Sequence, residues 1–223
     1  MKCFCSIVVA ASLCASVPLF AQGTFQNLDF EQATIEPTAP GQYGSLVTDP
    51  AMAFPGWTVG SGYTLYNNLT LGSVAVVLIG PDYPNALNKT PLEGSYSALI
   101  QFGPSPTMGT PSLSQTGLVP ANAKSINFLV DSFNNDARVT IGGVDIPLVV
   151  IGGGRMAGDV SAFAGQVEQL TFSTTSYNGH WLYFDDVVFS TQIVPEPTTL
   201  SLFVFGGLLL GWRQRSQVLT RKK

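Results

Sequence analysis

The acidic pair in "LYFDDVVFS", Leu182 to Ser190, is where residue type and spacing first raise a chemical question. The run around it is apolar and strand-like, so neighbouring side chains leave on opposite faces. Asp185 shares parity with Val187 and Phe189, and Asp186 with Phe184 and Val188. If Val187 and Phe189 face a core, Asp185 is carried inward, where an unpaired carboxylate is costly. One remedy is a hard cation such as a structural calcium, with Glu31 of "NLDFEQ" as second ligand if the first and last strands are neighbours. Another is a set of N–H or hydroxyl donors from a nearby loop. A third leaves both acids in solvent.

Other chemistry finds less support. Nucleophilic catalysis needs a base beside an activated hydroxyl, and the chain has 1 His, His180 in "YNGHW", with no G-x-S-x-G elbow. It reads as a surface or strand-entry histidine. "GGGR", Gly152 to Arg155, has the glycines of a phosphate cradle but links two strand-like runs instead of opening a helix, which makes it a hairpin loop. Zinc is disfavoured, because all 3 Cys lie at the extreme N-terminus. Glycoside hydrolysis needs two acids close in space, and an acid-rich body supplies pairs everywhere, so no catalytic residue is assigned. Tyr63, Tyr66 and Trp181 are candidates for stacking on sugar rings, whereas Trp57 in "FPGW" reads as a core plug.

The elements that must position these residues are strands. Ser73 to Ile79, Ala98 to Phe102, Lys124 to Asp131, Arg138 to Ile141, Val144 to Ile151, Gln169 to Ser173 and Trp181 to Phe189 are rich in Val, Ile, Leu and Phe, with Gly, Pro and Asn between them. Ile126, Phe128 and Val130 share one face, and Asn127 and Leu129 the other. Period-two alternation with frequent turn signals predicts an all-β fold, an antiparallel β-sandwich or jelly roll. Gly142 and Gly143 mark a tight hairpin, since glycine supplies positive φ at little cost. "GDVSAFAGQ" predicts a single helical turn, capped by Asp159 and closed by Gly165.

The ends differ from this body. Lys2, an apolar stretch from Phe4 to Phe20 and Ala21 have the order of a secretory signal peptide, residues 1–21. Its removal takes Cys3, Cys5 and Cys14 with it, leaving a body without thiols or disulfides. Residues 22–190 form the sandwich domain, 191–197 a linker, 198–212 a C-terminal hydrophobic segment read as a helix, and 213–223 a basic tail. Four of the 10 basic and thirteen of the 14 acidic residues fall in the body, a net charge of about −9. Such a surface repels phosphate backbones, which excludes nucleic acid as a partner and suits divalent cations.

The C-terminal order of Pro195, Glu196 and Pro197, an apolar segment containing "GGLLLG", then Arg213 and Arg215, resembles the PEP-CTERM sorting signal of Gram-negative bacteria. The resemblance implies a membrane enzyme, exosortase, that recognises the Pro-Glu-Pro motif and cleaves near it. The arrangement also makes physical sense. Prolines keep the motif extended, the apolar run holds it at the inner membrane before processing, and the arginines stay cytoplasmic. Thr198 to Trp212 is shorter than the roughly twenty residues of a bilayer span.

"NLDFEQ", "GWTV", "SLSQTGLVP", "GDVSAFAGQ" and "DDVVFS" resemble the jelly-roll, galactose-binding-like modules common among proteins with this signal. That implies an exported, non-catalytic protein of the cell envelope, cell surface or extracellular matrix, with exopolysaccharide as a candidate partner and no required cofactor. The alternative is a secreted polysaccharide-active hydrolase.

Overall fold

The computed structural model describes residues 23–35, 48–68, 74–81, 89–103, 109–131, 137–174 and 181–194. The leader, His180, the Pro-Glu-Pro motif, the C-terminal hydrophobic segment, Arg213 and Arg215 lie outside them. Twelve strands are described. They are β1 (Thr58–Val59), β2 (Tyr63–Tyr66), β3 (Ala75–Ile79), β4 (Ser97–Gln101), β5 (Ser112–Leu118), β6 (Ser125–Val130), β7 (Ala137–Ile141), β8 (Val144–Asp145), β9 (Leu148–Gly152), β10 (Arg155–Asp159), β11 (Val167–Thr174) and β12 (Trp181–Ser190). One sheet has the order β1-β5-β11-β7-β8 and the other β2-β3-β4-β12-β6-β10-β9. All pairings are antiparallel except β2 with β3. The fold is the expected β-sandwich.

Alternation builds the core between the sheets. Leu113, Val139, Ile141, Leu170 and Phe172 point inward from the five-stranded sheet, and Ile100, Ile126, Phe128, Leu182 and Phe184 from the seven-stranded one. Phe172 stacks on Phe184 at 4.4 Å between ring centroids and meets Phe128 edge-on at 5.2 Å. Each ring pair contributes roughly 0.5–1.5 kcal/mol beyond area burial. Trp57 is the expected plug. Its ring lies against Phe30 and Phe172, and its Nε1 donates to the Asn27 carbonyl at 2.8 Å.

Four strands were not legible in the apolar runs: β1, β2, β5 and β10. β5, "SLSQTGL", alternates one apolar residue with small polar ones, a weak hydrophobic signal. The run Val144 to Ile151 is two strands, not one. β8 edges the five-stranded sheet and β9 edges the other, with Ile146 and Pro147 at the crossing. Proline has no N–H for a ladder, which favours the switch there. The Gly142–Gly143 hairpin forms as expected, at φ +58 and +78. The helical turn is a 3₁₀ turn confined to Ser161–Phe163. Asp159 Oδ1 accepts from the Ser161 amide at 2.8 Å, while Gly158 and Asp159 themselves belong to β10.

The seven-stranded sheet carries a second apolar layer on its outward face. Leu65, Ala75, Val77, Ile79, Leu99 and Tyr183 are buried there, with Leu92 and Trp181 packed against them. Residues 89–96 cross this face as a strap. Lys89 pairs with Asp131 and lies over the Tyr183 ring, and the Tyr183 hydroxyl donates to the Thr90 carbonyl.

Candidate functional site

A β-bulge decides where Asp185 points. The β12–β6 register shifts between Asp185 and Val188, and Asp186 takes φ +43. Before the bulge Leu182 and Phe184 face the core; after it Val187 and Phe189 do. The parity expected from sequence is therefore broken, and Asp185 shares the outward face with Tyr183. An aspartate tolerates positive φ better than most residues, which suits Asp186 to the bulge.

Arg155 pins this kink. Its guanidinium donates through Nη1 to Asp186 Oδ2 at 2.8 Å, through Nη2 to the Asp186 carbonyl at 2.7 Å, and through Nε to Asn127 Oδ1 at 2.8 Å. The preceding "GGG" is the β9–β10 hairpin loop, as expected, with all three glycines at positive φ.

Asp185 is buried on the outward face all the same, only 1% exposed. Its Oδ2 accepts from Ser97 Oγ at 2.6 Å and from the Glu93 amide at 3.1 Å, and its Oδ1 accepts from the Asp186 amide at 2.7 Å. Local donors are therefore in place: the Ser97 hydroxyl of β4, the Glu93 amide of the loop and the Asp186 amide. Burial pushes its carboxyl up to about 7, against the opposing pull of Ser97 and the two amides.

Glu31 reaches the same place from the other end of the body. Asn27 and Phe30 adopt positive φ, and the Asn27 side chain ties the turn by accepting from Gln32 and donating to Pro55. Phe30 and Leu28 are buried in the core, so the turn is anchored from below and Glu31 is held outward. Glu31 Oε1 accepts from the Ser95 and Tyr96 amides at 2.8 and 2.9 Å. Between these donors and Glu93 sits Gly94 at φ +57, where a Cβ would lie 2.3 Å from Glu31 Oε1. One short loop therefore satisfies both acids that the sequence singled out.

Asp29, Glu31, Glu93, Gly94, Asp185 and Asp186 together line a depression of about 200 Å³. Glu93 is held above the usual carboxylate range, chiefly by the charge of Asp186 and then by burial, while Arg155 opposes the shift. The donor set is all oxygen, which suits a hard cation. Among the described residues, however, no three His, Cys, Asp or Glu side chains converge as a ready ligand set. Asp29, Glu93, Asp186, Ser97 and Arg155 escaped the sequence reading. Adjacent aspartates inside an apolar strand were the available signal, because a bulge is what lets both avoid the core.

The stacking candidates part company. Tyr63 is 47% exposed and Trp181 is half-buried, and both stand on the outward face of the seven-stranded sheet in one cross-strand row with Ala75 and Gln101. Tyr66 is 1% exposed and packs in the main core, because strand alternation sends it to the face opposite Tyr63. It cannot stack on a sugar.

No protein-family model and no curated protein matches the chain. Among solved structures, similarity is found to a Stig cyclase from Fischerella sp. TAU in complex with (3Z)-3-(1-methyl-2-pyrrolidinylidene)-3H-indole. The identity is 16%, the TM-score 0.42, and 74% of this chain and 94% of the cyclase are covered. TmCBM61 in complex with β-1,4-galactotriose is similar at 13% identity and a TM-score of 0.37, over 75% of this chain and 97% of its own. The enzymatically active domain of bacteriophage CBA120 tailspike protein 4 is similar at 15% identity and a TM-score of 0.37, over 61% and 19%. Likeness at this level assigns neither ligand nor activity.

Proposed function

We propose that the chain is an exported, non-catalytic cell-surface or extracellular-matrix protein of a Gram-negative bacterium that binds exopolysaccharide and is sorted by exosortase at Pro195, Glu196 and Pro197. The observation that carries this reading is the pairing of a leader at one end with Pro-Glu-Pro, an apolar run and arginines at the other. A sandwich with an aromatic core and no need of a disulfide suits it. The test is fractionation and intact-mass analysis of cells making the full chain and its Glu196→Ala variant. The native chain is expected beyond the inner membrane without its C-terminal segment, and the variant is expected to stay membrane-bound. A native chain found in the cytosol with both ends intact overturns the reading.

The acidic depression is read as a structural cation site, Glu31 and Asp185 supplying oxygens to calcium. Five carboxylates facing one arginine favour a counter-ion there. The hydrolase alternative rests on the same depression, since an aspartate held near pH 7 beside other acids is what a general acid needs. Against it, Asp185 is only 1% exposed, too little for a sugar to reach its carboxyl. Release of new reducing ends from a bound polysaccharide would replace the binding reading with the hydrolase.

A further inference from the structure

The five-stranded sheet turns a different kind of surface outward. Its ladders run without a bulge, so Thr58, Ser114, Thr171, Thr140 and Asp145 fall in one row across all five strands, with Ser114 and Thr171 half-buried and Thr140 buried. Four strand spacings make that row about 19 Å long. Beside it, Thr116 faces Gln169, and beyond them Leu118 faces Val167, which are 36% and 66% exposed. Among the described residues, the side chains of Ser114, Thr116, Gln169 and Thr171 make no hydrogen bond within the protein, so their donors and acceptors are available.

Charge narrows the choice of partner. The outward positions of this sheet carry Arg138 and Asp145, which neutralise each other through Nη2 to Oδ2 at 2.8 Å and a second contact from Nε. The face therefore has no uncompensated charge in a body of about −9. A polyanion gains nothing from it and is repelled by the rest of the body. A protein partner would want aromatic or arginine anchors, and the described face has no aromatic and only the tied arginine. What remains is a partner that is uncharged, extended and rich in hydroxyls, with C–H faces able to rest on Leu118 and Val167.

Resting on the polysaccharide reading above, we propose that the outward face of the five-stranded sheet is where an uncharged polysaccharide docks. Its hydroxyls bond to Ser114, Thr116, Gln169 and Thr171, and strand spacing repeats these groups at close to the length of one sugar residue.

The test is retention of the full chain, in mild detergent, on cellulose, β-1,3-glucan, galactan and the acidic polymer alginate. The Thr116→Lys/Gln169→Glu double variant leaves net charge unchanged and adds a cross-strand ion pair, so the fold is expected to hold. It is expected to lose at least tenfold in retention on whichever neutral polymer the native chain binds, with its melting temperature unmoved. Thr171→Val, which removes one hydroxyl with little change of shape, is expected to lose about threefold. Val150→Ala, at the exposed edge of the other sheet, is expected to bind as the native chain does. If the native chain binds but both face variants bind equally well, this inference falls and the polysaccharide reading stands. Retention on alginate alone overturns the inference as well. Retention on none of the four polymers removes both.

Discussion

The two sheets share one core but turn opposite kinds of surface away from it. The outward face of the seven-stranded sheet is apolar and covered, with Tyr183, Leu99 and Val77 sealed beneath the strap of residues 89–96. The outward face of the five-stranded sheet is hydroxyl-rich, neutral and in part open. The difference lies in outward-facing sequence alone: Val77, Leu99 and Tyr183 on one side, Ser114, Thr116 and Thr171 on the other. In an antiparallel sheet each face is written by alternate residues, so the backs can diverge while the fronts pack together.

The sharpest way to break this contrast is to truncate one side chain on each face. Tyr183→Ala empties a covered site and is expected to cost about 3–5 kcal/mol in urea unfolding, whereas Thr171→Ala is expected to cost within about 0.5 kcal/mol of nothing. Equal costs would mean that the strap does not seal its face.

A second test uses pH. Unfolded Asp185 gives up its proton near 3.8, and the folded residue near 7. Between those values the folded state holds more protons, so this carboxyl's contribution to stability is fully present at or below pH 4 and is lost as pH rises to 7, by at most about 4 kcal/mol. Glu93 is shifted in the same direction and adds to the trend. Thermal melts in chelator across this range should show the fall, and Asp185→Asn should flatten it; a rise would contradict the buried carboxylate.

Calcium should then reverse part of that loss. At a concentration one hundred times its dissociation constant, it is expected to add about 2.7 kcal/mol at pH 7.5, seen as a higher melting temperature than in chelator. No change would remove the cation from Glu31 and Asp185. The smallest effect is expected at the rim of the strap. Lys89→Met breaks the part-exposed pair with Asp131 and should cost less than about 1 kcal/mol.

The sequence made much of this legible. Alternation in Ile126 to Val130 located β6 with the correct faces, and Gly142–Gly143 located the β7–β8 hairpin. Asp185 and Glu31, paired in the sequence as candidate ligands, line the same depression. What stayed hidden was register. One bulge at Asp186 reversed the parity of β12, and parity is the only thing a strand sequence offers for telling front from back. Tyr66 was misjudged for a related reason: a tyrosine beside an exposed one in sequence is on the opposite face in space. β5 was missed because a strand whose outward face is hydroxyl-rich lacks the apolar density by which strands are recognised.

The place of β12 has a consequence for biogenesis. It runs between β4 and β6, inside its sheet, yet it is the last strand of the body to be synthesised. Until it arrives, β4 and β6 each present an unpaired edge, an aggregation hazard for a nascent chain. The seven-stranded sheet therefore cannot close until Ser190 has left the ribosome.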